Sequence, residues 1–188
     1  MNTPAHLLIG GAVAGRRTPR LVAWAMLGGL LPDLSLYVLA GVSLFVLRIP
    51  PTIVFDELYF SPAWQTVFAI DNSLLVWGLA LALALWTRRA GAIALCLAAL
   101  LHILLDLPLH AGDGRAHFWP LSDWVYDSPF SYWDRAHGAA RIAPIEALFS
   151  GLAAVWLWSV RGWVRWAALA LLLAELWVVR QWLFVFGQ

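Results

Sequence analysis

The sequence predicts an all-α integral membrane protein, a bundle of about five to six short or broken transmembrane helices with a structured outer loop. Three observations predict it. Of the 188 residues, 62% are hydrophobic and only 12% are charged, against about 25% charged in an ordinary globular protein. That leaves too little polar surface to cover a soluble domain, and the mean hydropathy of +0.77 has the same origin. The apolar residues fall in runs approaching the length a bilayer demands. The thirteen Trp lie largely near the ends of those runs, where an interfacial aromatic belt is expected. Residues 1–188 are expected to form a single transmembrane domain, with 108–142 as an extramembrane loop or lid.

The first segment opens Asn2-Thr3-Pro4, with Thr3 expected as N-cap and Pro4 at the first helical position. It ends near Gly15 and is about 18 Å long at 1.5 Å per residue, too short for a bilayer of about 30 Å. A half-helix or re-entrant element is expected. Leu21–Leu47 is apolar but is expected to break at Gly28-Gly29 and Pro32-Asp33. Arg48–Ser61, with Pro50-Pro51 and Asp56-Glu57, is expected as an extramembrane loop. Pro62–Trp86, Ala90–Leu107, Pro144–Val160 and Trp163–Phe186 each approach spanning length, and Pro108–Ile142 forms the outer loop.

Composition also excludes functions. A net charge of +1 argues against a nucleic-acid partner, which would require a basic face. All twelve basic residues are Arg, so no lysine exists for a retinal or pyridoxal Schiff base. The single cysteine, Cys96, permits no intrachain disulfide and is expected as a small core hydrophobe. Pro4–Gly15 is not expected to be a cleaved signal, because its arginines follow it. Alternate threading puts Arg16/Arg17/Arg20, Arg88/Arg89 and Arg161/Arg165 on one side, which the positive-inside rule makes cytoplasmic.

Ionisable residues within apolar spans are costly and usually face a cavity or one another. Helical rise from the flanking arginines places His6, Asp33, Asp71, His102, Asp106 and Glu146 in one layer, about 15 to 25 Å from the arginine side. His102 and Asp106 share a helix face at i and i+4, and His110 follows one turn later. Imidazole with carboxylate suits a divalent metal, Zn²⁺ first, with Mn²⁺ or Fe²⁺ as alternatives. The alternative is a pair of side chains that hydrogen-bond each other and fix helix packing. Asp33, beside a helix break, is placed as transporters place ion ligands.

These residues also carry a resemblance. His6 in TPAHLLIGG, Asp33 in GGLLPDLS, and His102-x-x-x-Asp106 leading to His117-Phe-Trp-Pro-Leu-Ser122 resemble the bacterial family of membrane-bound, metal-dependent hydrolases over roughly residues 3–125. The resemblance implies a multi-pass inner-membrane protein with a metal held by His6, Asp33, His102 and Asp106. Ser35 stands where that family carries a second acid, and Asp71-Asn72-Ser73 stands where it carries Thr-His-Ser. Asp71 is then expected to supply a ligand one position earlier. Ser128–Asp134, SPFSYWD, marks a divergent subgroup.

The outer loop interleaves His110, Asp113, His117, Asp123, Asp127, Asp134 and His137 with aromatics. It is expected to close over the metal, with His110, Asp113 or His117 completing the coordination and His110 and His117 the favoured ligands, or to rest as a solvated loop at the interface. The leading expectation is a metal-dependent hydrolase of a lipid-like or phosphoester substrate, sited toward the periplasmic side of the bacterial inner membrane. Asp71 or Glu146 would be general base or extra ligand. Glu175 is expected to pack against a neighbouring polar group. Two other readings stand beside it: a non-catalytic subunit with a protein partner in a membrane complex, and a small ion or metal transporter.

Overall fold

A computed structural model describes residues 1–16 and 18–181. Arg17 and residues 182–188, which include the expected end of the last span, lie outside the described residues. Among the described residues the chain is helical with no strand. Helix α1 is Thr3–Ala14, and α2 is Pro19–Gly41, extended by a π-helical turn at Val42–Val46. A short α3, Pro51–Ile53, runs into a second π-helical turn, Val54–Leu58. Then come α4 (Pro62–Asp71), α5 (Leu74–Trp86) and α6 (Ala90–Asp106, closed by a 3₁₀ turn at Leu107–Leu109). After a largely irregular stretch and a 3₁₀ turn at Arg135–His137, α7 (Ala139–Trp158) and α8 (Trp163–Arg180) complete the chain.

Four helical stretches are long and apolar enough to cross a membrane: Pro19–Val46, Pro62–Trp86, Ala90–Leu109 and Ala139–Trp158. Helix α1, with 12 residues, is as short as expected. Helix α8 has Arg165, Glu175 and Arg180 among its 18 residues. The surface of the bundle is apolar: Phe45, Leu79, Trp86 and Val155 each expose more than 70% of their area. The interior holds His6, His102, Asp106, Glu146 and Glu175, all buried. That is the reverse of a water-soluble distribution.

Four expectations need correction. Helix α2 does not break at Gly28-Gly29 or Pro32; it runs without interruption to Gly41. Proline removes one intrahelical bond, and in an apolar bundle neighbouring helices can satisfy the freed groups. Pro32 withholds the donor of the Gly28 carbonyl; on either side of it, His102 Nδ1 donates to the Gly29 carbonyl at 2.7 Å and Asn72 Nδ2 donates to the Pro32 carbonyl at 3.2 Å, tying this stretch of α2 to α6 and the end of α4. Pro62–Trp86 is two helices, because Ser73 caps α5 by accepting from Val76 N at 3.1 Å. Thr3 is not an N-cap; its hydroxyl donates instead to Asp33 Oδ2 at 2.5 Å. Helix α7 begins at Ala139 and carries Pro144 within it.

Short α1 sits at the centre and packs against α2, α6, α7 and α8. Small residues allow this: a Cβ on Gly10 would lie 3.2 Å from Ala98 Cβ, and one on Gly29 would lie 2.8 Å from the His6 carbonyl. Close backbone approach through glycine is how helices associate where the hydrophobic effect supplies no drive. Helix α1 thus delivers His6 to the seam between α2 and α6. Trp64, Phe68, Val54 and Ala40 form a separate cluster that anchors α3 and α4 against α2.

The α4–α5 break has its own measurable consequence. Ser73 is fully buried, caps α5, and donates to the Trp119 carbonyl at 2.6 Å. Ser73→Ala is expected to cost about 2 kcal/mol, one cap plus one orphaned carbonyl. Thermal unfolding in detergent checks this, and an unchanged midpoint would contradict it.

Candidate metal centre

The seam between α1, α2 and α6 gathers His6, His102 and Asp106 so that one potential ligand atom from each lies within 4.8 Å of the others. All three are buried, at 2%, 1% and 6% exposure. His6 Nε2 lies 2.9 Å from Asp106 Oδ1, which also meets the Met1 ammonium. Asp106 Oδ2 lies 3.3 Å from His102 Nε2 and 3.3 Å from His110 Nε2. The His6 and His102 rings stack, with centroids 3.5 Å apart and planes 13° from parallel.

His102 tests whether these residues fit a metal. Its Nδ1 donates to the Gly29 carbonyl, so in the neutral ring Nε2 carries the lone pair. That nitrogen has no hydrogen-bond partner and is buried. It nevertheless lies 3.3 Å from Asp106 Oδ2 and 3.6 Å from Asp33 Oδ1. A lone pair facing two carboxylates is relieved either by a proton on Nε2, which makes an ion pair, or by a metal cation between the three groups. A backbone carbonyl fixing the tautomer of a ligating imidazole is the usual outer-shell device of such sites. The donor set, imidazole nitrogen with carboxylate oxygen, suits Zn²⁺, Mn²⁺ or Fe²⁺.

The remaining expected residues divide. Asp33 flanks the trio, partly exposed and held by Thr3, whose hydroxyl also meets Tyr37 Oη at 2.6 Å. His110 reaches the trio through Asp106, with its other nitrogen 3.0 Å from Asp113 Oδ2. Burial opposes its charging, yet hydrogen bonds to Asp106 and Asp113 prevail and raise its pKa above the ordinary value. Burial would likewise raise Asp113, but His110, Arg115 and Trp133 together pull it below the usual carboxylate range. His117 joins no trio member directly; its Nδ1 donates to the Asn72 carbonyl at 3.0 Å, and burial holds its pKa down. With Asp33, Asn72, Asp106 and His110 it lines a small cavity of about 40 Å³.

Asp71 is half-buried, and its neighbour Asn72 lines the cavity instead. Glu146 serves α1: its Oε1 accepts from the Asn2 backbone N–H, one of the donors a helix start leaves unpaired. Glu175 accepts from Asn2 Nδ2 at 3.4 Å, the polar neighbour its burial required. The two acids bracket Asn2 and so fix the turn that carries His6.

Sequence reasoning passed over Asn2, Tyr59, Arg115 and Tyr132. Tyr132 is half-buried, and its phenol is pushed well above its usual pKa, first by desolvation and then by nearby carboxylates. Arg115 gave a signal, as an arginine set between Asp113 and His117. Asn72, a poor stand-in for an imidazole ligand, has a use in fixing His117. Compared with known proteins, the chain matches no family model, no curated protein and no solved structure.

Proposed function

We propose that this chain is a metal-dependent hydrolase embedded in a bacterial inner membrane, acting on a lipid-like or phosphoester substrate from the periplasmic side. The observation that carries the reading is the unpartnered His102 Nε2, tautomer-fixed by Gly29 and faced by two carboxylates. His6, His102 and Asp106 would hold the metal, with Asp33 and His110 beside it. The apolar outer surface and four helices of spanning length support insertion. Arg20 and Arg89 line one cleft, in keeping with an arginine-rich cytoplasmic end.

A divalent ion in such a site acidifies a bound water and polarises a substrate oxygen. The chain's own residues supply the rest. Asp33 lines the cavity, and Thr3 fixes its orientation, so its carboxylate is placed to take a proton from an attacking water. Asp113 holds His110 against Asp106, and burial by the outer stretch excludes bulk water. Asp106→Asn keeps the shape and removes the charge. It is expected to lower bound zinc by about tenfold or more, read by elemental analysis of purified protein. Full zinc in that variant, or none in the wild type, overturns the reading.

A further inference from the structure

Arg115 is 8% exposed and makes no ion pair among the described residues. Its Nη2 donates to the Tyr59 hydroxyl at 2.5 Å, and its guanidinium lies 4.9 Å from the Tyr59 ring centroid and 4.5 Å from that of Phe68. Its Nη1 is buried without any partner. A guanidinium withdrawn from water is costly unless an anion meets it. Arg115 lines the same cavity of about 40 Å³ as Asp33, Asp106 and His117. Asp113 lies near enough for the two charges to act on each other, but its carboxylate bonds to His110 and to Trp133 Nε1 at 3.1 Å and makes no direct ion pair with Arg115.

That cavity has a neighbour. An open cleft of about 580 Å³ is lined by Leu36, Phe55, Phe60 and Trp133, with Asp56 and Asp113. Leu36, Tyr59 and Tyr132 line both spaces, so the two lie against each other across these side chains. Phe55 and Phe60 are about half exposed, an apolar wall with nothing covering it. The inner space admits only a compact head, and the outer one accepts an alkyl chain.

We propose that Arg115 anchors the anionic head of a phosphorylated amphiphile beside the metal centre, while the Phe55–Phe60–Trp133 cleft takes its tail. This rests on the hydrolase reading and narrows its substrate. A phosphoryl group has enough oxygens to engage a metal and a guanidinium fork together, which a carboxylate does less well. Charge complementarity selects the head, and the apolar wall of the adjoining cleft selects an alkyl tail.

The test uses the full chain in detergent, zinc-loaded, titrated calorimetrically with octylphosphonate, ethylphosphonate, octanoate and inorganic phosphate below micellar concentrations. Octylphosphonate should bind tightest, by about tenfold or more over ethylphosphonate, from the buried methylenes. Arg115→Gln should weaken octylphosphonate by about 10- to 100-fold while leaving bound zinc unchanged. Phe60→Ser, at an exposed position, should shrink the octyl-over-ethyl preference and leave ethylphosphonate unaffected. Octanoate binding as well as octylphosphonate would overturn the phosphoryl head, and inorganic phosphate binding equally well would overturn the tail cleft. Unaltered phosphonate binding in Arg115→Gln, or loss of zinc along with it, would overturn the anchor. If the wild type holds no zinc, the hydrolase reading falls by itself; the same titrations on metal-free protein then decide Arg115 separately.

Discussion

His102→Ala should purify as a helical protein that has lost its metal, with affinity lower by about 100-fold or more. Two effects combine. The ring's Nε2, which faces Asp106 and Asp33, disappears. The Nδ1 bond that satisfies the Gly29 carbonyl goes with it. Loss of a supporting bond alone typically costs 10- to 100-fold in metal affinity, and loss of a ligand costs more. Leaving the carbonyl orphaned adds about 1 to 3 kcal/mol of instability. His137→Ala is the matched control, since His137 sits on the outer 3₁₀ turn bound to Asp134 at 2.6 Å. Elemental analysis of both proteins, with circular dichroism to verify helix content, settles the matter. Equal metal in the two variants would refute a site at His102.

Gly28→Ala should be the most damaging glycine-to-alanine change among the described residues. A Cβ there would lie 2.0 Å from the Leu95 carbonyl oxygen and 2.8 Å from its carbon. Both are backbone atoms, so no rotamer change relieves the contact and α2 must move away from α6. Overpacking of this kind costs about 3 kcal/mol. The displacement also pulls Gly29 from His102, so metal affinity should fall with stability. Gly78, on α5, has nothing within 4 Å of its added Cβ. Gly78→Ala should therefore be neutral or stabilising by up to about 1 kcal/mol from helix propensity. Thermal unfolding of the two variants side by side tests the helix crossing. Indistinguishable midpoints would mean that α2 and α6 do not meet at Gly28.

The polar layer was legible because charged groups in apolar runs are few and helical rise is regular. Counting residues was enough to set His6, Asp33, His102 and Asp106 at a common depth, and the structure brings them together. Counting residues does not give azimuth. Glu146 shares the depth, yet it turns toward Asn2 and supports α1. Asp71 shares it too, but the helix stops there, and Asn72 lines the cavity in its place. The behaviour of Pro32 was illegible for a related reason. Whether a proline breaks a helix depends on what holds the surrounding turns, and here His102 and Asn72, which bond α2 at Gly29 and Pro32, are 73 and 40 residues from those partners in sequence. Tyr59 and Arg115 meet across 56 residues of chain, beyond the reach of any local pattern.

The centrality of α1 has a consequence for how the molecule is made. His6 emerges from the ribosome early, but the carboxylate it needs is 100 residues downstream, and the acid holding Asn2 from α7 comes 144 residues later. Translation at about 5 to 20 residues per second separates the first histidine from its partners by several seconds. Through that interval the later partners that hold α1 in the finished fold do not yet exist. If the proposed centre holds a metal, loading must await Asp106, and nascent chains arrested before it should bind none.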